Sequence, residues 1–468
     1  MQFLSLPYIS IGIGSLIIGA CISLRAKSPR MGAVVSSIIA FLSFLLAARE
    51  VALINHGRLF DPFLTWFDAD GLDAVPMAFF AALTVMFVTV APKRDAGGRS
   101  LAGMLIIAAA TQISYAGANL AVLATGWWLT CAPFILGMFG KYPGRRFENT
   151  FLIASSIALT AGILLLHHIE IDELSHTSML AFGLLIIAVV LRKGVFPFHG
   201  WMVHAFEYGP LLPTALLFNG HLGALLIARS ETTALPVTAK HALDILGMVA
   251  LATTVITSVR AFAEKKPRRL LAYLCLSQAS FILVGFATAN VQGITGGLIH
   301  WLVVSTASAG LICIVRMLEV RLSVIDDPSG HLGLATKAPR LATFFLVCGL
   351  ALIGLPGTLG YCAEDLLFHG ALENHPWVGL CLPIATAFNA INIMRLFSIL
   401  FLGVLPKHVI DIPDALPRER WPLVACVLFL VIGGLLPGRI VSWRSDAADQ
   451  ISGALDYQEP HTPSASGH

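Results

Sequence analysis

The chain has 468 residues, of which Lys and Arg supply 30, Asp and Glu 27, and hydrophobic residues 57%. Charged residues make up 12%, where a soluble domain carries about 25%, and the mean hydropathy is +0.81. This composition excludes a soluble enzyme of this size, a secreted disulfide scaffold, a disordered tail and a nucleic-acid binder. It describes a polytopic membrane protein whose first partner is the lipid bilayer. The eight cysteines all lie more than three residues apart, which excludes the paired spacing of metal or cluster sites. No metal and no cofactor is expected.

A bilayer-crossing helix needs about 20 mostly apolar residues. Fourteen such stretches are predicted, near 7–24, 32–54, 74–92, 100–116, 118–140, 149–167, 177–201, 211–228, 241–262, 270–288, 293–315, 339–371, 377–403 and 421–438. The first lacks a preceding basic region and a cleavage site, so it reads as a span and not as a signal peptide. Lys and Arg favour cytoplasmic loops. The loops after spans one, three, five, nine, eleven and thirteen hold 21 of the 30 cations, from Arg25, Lys27 and Arg30 to Lys407, Arg418 and Arg420. The alternate loops and the ends hold six: Arg49, Arg58, Arg229, Lys240, Arg439 and Arg444. The loop 168–176 is acidic, with Glu170, Asp172 and Glu173. The alternation predicts fourteen spans with both termini on the non-cytoplasmic side. The expected organisation is a three-helix segment (1–99), a first five-helix repeat (100–230), a second (241–403), a C-terminal helix (404–444) and a polar, unstructured tail (445–468).

Arg192, Lys193 and Arg395 fall within or beside spans. Span seven is interrupted by Gly194, Pro197 and Gly200, and span twelve by Gly354, Pro356, Gly357 and Gly360. Proline removes a helix hydrogen bond and clashes with the previous turn. In a bilayer such a break survives only where protein or a water-filled cavity satisfies the freed backbone. Each span is fourth in its five-span unit, and an odd number of spans inverts the topology of the second unit. Paired breaks in inverted repeats point to ion or substrate pathways. Both breaks carry ionisable residues: Arg192, Lys193 and His199 in the first, Glu364 and Asp365 in the second. Such groups inside a membrane usually face a cavity and have a role. The pattern alone suggests an ion-translocating protein and does not name the ion.

Six segments, in order, resemble the antiporter-like membrane subunits of respiratory complex I and of Mrp antiporters. They are Asp70-Gly71-Leu72; Asn119-Leu120 with Gly126-Trp127; Phe196 to Trp201; Leu271-Ala272-Tyr273 with Ser277-Gln278; Gly354 to Thr358 with Glu364; and Arg395-Leu396 to Gly403. The resemblance implies an all-α fold of about fourteen transmembrane helices with two inverted five-helix repeats. It implies one half-channel per repeat, in a prokaryotic inner membrane beside other subunits of a complex. The chain stops soon after span fourteen, so the long lateral helix of some members is not expected. Trp127 to Thr130 and Phe196 to Trp201 look most like the membrane subunit of the DabA–DabB inorganic-carbon complex, which implies a large zinc-containing DabA-like partner. A subunit of a redox-driven complex or Mrp antiporter, and a scaffold with a decayed ion path, are the alternatives.

In the resembled family the path uses a Glu on span five, a Lys on span seven, a His on span eight, a Lys on span eleven and a Lys or Glu on span twelve. Here those positions hold Trp128, Arg192 followed by Lys193, Phe218, Ser308 and Glu364. Arginine keeps its proton under essentially all conditions, so Arg192 reads as a fixed clamp. Lys193, His199, His221, His300, Glu364 and Asp365 are left as candidate path residues, and Ser308 could position water. Each also has a plain reading: snorkelling for Lys193, backbone hydrogen bonding for His199, a membrane-edge carboxylate or helix cap for Glu364 and Asp365. Ser277 and Gln278 are expected to bind between helices, and Arg395 to meet a carbonyl or an acid.

Overall fold

The structure, a computed structural model, describes residues 6–55, 57–167, 176–232, 237–322, 331–405 and 412–456. The loop acids Glu170, Asp172 and Glu173, the cation Lys407 and residues 457–468 of the tail lie outside them. The first six helices follow the first six predicted spans: α1 (Tyr8–Arg25), α2 (Pro29–Leu53), α3 (Ala74–Val90), α4 (Gly98–Tyr115), α5 (Leu120–Ile135) and α6 (Arg145–His167). Span seven divides into α7 (His176–Lys193) and α8 (Gly200–Tyr208). Span eight also divides, into α9 (Leu211–Asn219) and α10 (Leu222–Thr232), at a break that was not predicted. Spans nine to eleven are α11 (Val237–Ala263), α12 (Pro267–Ala287) and α13 (Val291–Arg321). Span twelve is α14 (Pro339–Leu352) plus α15 (Leu359–Asn374), and α16 (Pro376–Phe401) and α17 (Pro417–Leu435) follow. Asn119 and Asn290 cap α5 and α13 by accepting from the N–H groups of Val122 and Gly293. Pro29, Pro267, Pro339, Pro376 and Pro417 open their helices at positions where a missing N–H costs nothing.

The protein is almost entirely helical, and a short hairpin departs from the all-α expectation. It pairs β1 (Leu59–Phe60) with β2 (Asp68–Ala69), antiparallel. Among the described residues nine helices are long and apolar enough to cross a membrane, or ten if a bent pair counts as one span. The helices α3, α5 and α14 are apolar but shorter. That pair is α17 and α18 (Gly438–Asp456), which meet at 82°. Residues 445–456 are therefore helical and not an unstructured tail. Ala447, Ala448 and Ile451 form a narrow buried stripe on an otherwise polar helix, too sparse to register as an apolar run.

At the centre lies α13, 31 residues long and apolar all round, in contact with α3, α9, α12, α14, α15, α17 and α18. It and α12 are enclosed over their whole spanning windows, as expected of helices without a polar face. The segment Asp70-Gly71-Leu72 is a knot that holds distant parts together. Arg229 of α10 donates to Asp70 Oδ2 at 2.7 Å and pairs with Asp73, while Arg444 of α18 donates to the carbonyls of Gly71 and Leu72. Arg229 and Arg444 were counted above as charges of an outer face; both are buried structural ties.

Candidate functional site

The two breaks begin alike, though the Phe196–Pro197 peptide is cis and the second break adds a further left-handed glycine, Gly357 (φ +90°). Residues 194–199 separate α7 from α8, and residues 353–358 separate α14 from α15. Gly194 (φ +67°) and Gly354 (φ +68°) take the left-handed conformation that glycine adopts without a Cβ penalty. The next N–H then reaches back five residues, from Val195 to Val190 O and from Leu355 to Leu350 O, both at 3.0 Å. This pairing closes the free carbonyls at a helix end. A second turn follows in each, from Phe198 N–H to Val195 O and from Thr358 N–H to Leu355 O. Pro197, Gly200, Pro356 and Gly357 sit in or just after these turns. At Gly354 a Cβ would also lie 2.7 Å from Glu364 Oε2, so the glycine makes room for that carboxylate.

The side chains around the breaks form a line through the protein. Lys193 Nζ lies 3.2 Å from His221 Nδ1, with both residues buried. His221 stands at the unpredicted break between α9 and α10, at φ +40°, beside the Gly220 carbonyl that accepts from the Tyr115 hydroxyl at 2.6 Å. Lys193 and His221 are within electrostatic reach of His300, which is fully buried on α13. His300 Nε2 bonds the Gln278 carbonyl at 3.1 Å. The Gln278 side chain neighbours Glu364, which accepts from the Thr386 hydroxyl at 3.3 Å. Along this line Nε2 of His221, Nδ1 of His300, both amide atoms of Gln278 and Oε1 of Glu364 are buried without protein partners. Buried polar atoms in native proteins are seldom left so. Their succession from the first break to the second is what water or a moving proton would use.

Other predicted residues stand apart from this line. Arg192 reaches towards α5, bonding Cys131 Sγ at 3.0 Å and the Thr130 hydroxyl, with its guanidinium 5.3 Å from the Trp127 ring centre. Trp128, at the usual carboxylate position, donates to the Thr160 hydroxyl at 2.9 Å. Phe218 packs edge-on against His221 and Phe206. Ser308 donates to Asn219 Oδ1 at 2.9 Å. His199 lies between the rings of Phe196 and Tyr273, and among the described residues no hydrogen bond joins it to Lys193. Asp365 is exposed and faces His369 at 3.6 Å. Ser277 bonds the Thr254 carbonyl and receives Asn389, joining α11, α12 and α16. Arg395 donates to the carbonyls of Ala261, Phe262 and Glu264, closing the end of α11.

Sequence reasoning missed two features. Glu148 is buried at the start of α6, where it accepts from Tyr142 at 2.7 Å and meets His204 Nδ1 at 3.0 Å. The signal would have been three polar residues in or beside apolar spans, but nothing in their spacing joins position 148 to position 204. A cavity of about 810 Å³ opens near the end of α8, lined by Arg94, Asp95, Glu207, Lys266, Arg268 and Arg316 among others. There the Glu207 carboxylate holds the Lys266 ammonium above the usual lysine range. Among the described residues no group of three His, Cys, Asp or Glu could hold a metal ion.

The family described as NADH:quinone oxidoreductase/Mrp antiporter, transmembrane, matches residues 147–389. The chain belongs to that family of multi-pass membrane proteins. It is 23% identical over 447 residues to NADH-quinone oxidoreductase subunit M of Rickettsia bellii, covering 88% of this chain and 89% of that one. It is 23% identical over 426 residues to an NAD(P)H-quinone oxidoreductase chain 4 of Synechococcus sp., covering 84% and 79%. Its fold is similar to a chain of respiratory complex I from Thermus thermophilus, with a TM-score of 0.84, 22% identity and coverage of 96% and 99%. It is also similar to a chain of the Mrp complex from Dietzia sp., with a TM-score of 0.82, 16% identity and coverage of 97% and 99%.

Proposed function

We propose that the chain is the ion-translocating subunit of a multisubunit membrane complex of the redox-driven or Mrp type, moving protons or sodium across the bilayer. The observation that carries this reading is the line of buried polar groups from Lys193 through His221, His300 and Gln278 to Glu364. It runs between the two broken helices in separate hydrogen-bonded pieces, Lys193 with His221, His300 with the Gln278 carbonyl, and Glu364 with Thr386. A lysine and a carboxylate that sense one another through titratable intermediates can exchange protons in steps. The relatives named above come from quinone oxidoreductases and an Mrp complex, and they favour this reading over energy-coupled carbon uptake with a DabA-type zinc partner. Trp127 to Thr130 and Phe196 to Trp201 remain the features on the side of carbon uptake. Trp128, Phe218 and Ser308 at usual relay positions favour the rival scaffold role.

In this reading the chain has fourteen spans. The helices of 100–230 and of 241–403 form two inverted five-helix units, after an N-terminal segment (1–99) and before a C-terminal helix (404–444). Both termini lie on the non-cytoplasmic face of a prokaryotic inner membrane. The shared helix endings at Gly194 and Gly354 and the six cation-rich loops support it. The test is purification in mild detergent, identification of the co-purifying subunits, and reconstitution into vesicles with a pH-sensitive dye inside. Ion movement that follows partner turnover is expected, with flavin, iron–sulfur or antiporter subunits present. A complex that turns over without moving ions would overturn the reading in favour of the scaffold. A large zinc protein as sole partner would overturn the assignment of complex type.

A further inference from the structure

We infer that Arg192, Lys193 and His221 bound a buried site for a single halide-sized anion, at the end of the proposed path that Lys193 and His221 also begin. Arg192 keeps its charge in any environment a protein offers. It is 5% exposed, and its contacts are a thiol, a hydroxyl and an indole face, all neutral. Lys193 follows it in sequence, is 7% exposed, and touches an imidazole. Among the described residues no carboxylate forms an ion pair with either one. Glu148 is committed to Tyr142 and His204, and Glu364 lies beyond His300. A cation removed from water without a counter-charge is strongly unfavourable, and Arg192, unlike Lys193, cannot shed its proton to escape that cost. Thiol and hydroxyl dipoles do not neutralise a guanidinium.

The space beside them has the matching chemistry. Arg192, Lys193 and His221 line one cavity with Met202, Phe218 and Gly223. Its volume of about 10 Å³ is room for one sphere the size of a water molecule. A halide, about twice that sphere in volume, enters once the lining side chains give by a few tenths of an ångström, and bicarbonate or phosphate is larger still. With the Lys193 ammonium donating to Nδ1, the ring proton of His221 sits on Nε2, and that atom is buried without a partner. Three kinds of donor therefore border the cavity, and no acid does. The break at Gly220 and His221, with His221 held at φ +40°, is what presents the ring there. Backbone held in a sparsely populated region persists only where its surroundings enforce it, and such places cluster at ligand sites. The anion would supply the negative charge that Trp128 does not.

The experiment is thermal unfolding of the purified complex in mild detergent, in sodium chloride, sodium bromide or sodium gluconate at one ionic strength. A ligand that binds only the folded state raises Tm saturably. Chloride and bromide should do so for the natural chain and gluconate should not. Arg192→Gln should remove the halide response. Cys131→Asp should remove it too, because a carboxylate at the thiol position neutralises Arg192 from within, and should leave Tm in gluconate no lower than that of the natural chain. Chlorine-35 line broadening that bromide displaces gives the same reading on the natural chain if either variant fails to fold. Absence of a halide-specific response in the natural chain, or its persistence in both variants, overturns the inference. Neither result depends on ion flux, so the proposed function stands or falls separately.

Discussion

After Lys193 and after Leu352 the chain leaves its helix by the same steps, a left-handed glycine, a reach back of five residues and a second turn. What each break presents is opposite. The first holds two buried cations and an imidazole. The second holds one carboxylate packed against Gly354 and bonded to Thr386. Duplicated backbone thus carries unlike charge, and His300 on the central α13 lies between the two. The lesson is that symmetry resides in how the two helices end, where a left-handed glycine and the reach back of five residues recur. The chemistry resides in the few side chains that the turns leave facing inward.

That contrast can be broken in steps. The largest effect is expected from Glu364→Gln, which removes the only acid on the line while keeping its shape. Ion flux in reconstituted vesicles should fall about 100-fold, the lower range for loss of a positioned proton-transfer group. Unchanged flux would remove Glu364 from the path. Lys193→Arg is next. It keeps the charge and loses the ability to release a proton, so flux should fall about 10-fold, equivalent to ~1.4 kcal/mol on the barrier. Flux equal to that of the natural chain would mean that Lys193 acts only as a fixed charge.

Stability sharpens the comparison of the turns themselves. Gly194→Ala and Gly354→Ala should each cost about 1–3 kcal/mol, the usual cost of a side chain held at positive φ. Gly354 should be the worse, because its new Cβ also meets Glu364. Gly200→Ala is the control and the smallest effect. Nothing lies within 4 Å of a Cβ there and the residue begins α8, so stability should rise or hold within about 1 kcal/mol. Equal losses at all three glycines, read by thermal unfolding in detergent, would contradict the account of the two turns.

Legibility followed the reach of each interaction. The breaks at 194–199 and 353–358 were readable because glycine and proline punctuate an apolar run locally. The break at Gly220 and His221 was not, since Asn219-Gly220 is a turn signal that no proline reinforces and the apolar run continues on both sides of it. The helix 438–456 was hidden because only Ala447, Ala448 and Ile451 mark its buried stripe. Long-range pairings were out of reach altogether. Arg444 against Gly71, Arg229 against Asp73, and Glu148 against His204 depend on a packing that no local pattern encodes. For the candidate path, residue type sufficed to single out Lys193, His221, His300 and Glu364. It did not separate them from His199 and Asp365, which the structure places away from the line.

The central claim is that Lys193 and Glu364 belong to one path. A double-mutant cycle on ion flux in vesicles holding the whole complex tests it most directly, using Lys193→Met, Glu364→Gln and the pair together. Residues acting as a unit give non-additive losses, so the double variant should be no slower than the slower single variant. Losses that multiply would show two independent routes and contradict the account.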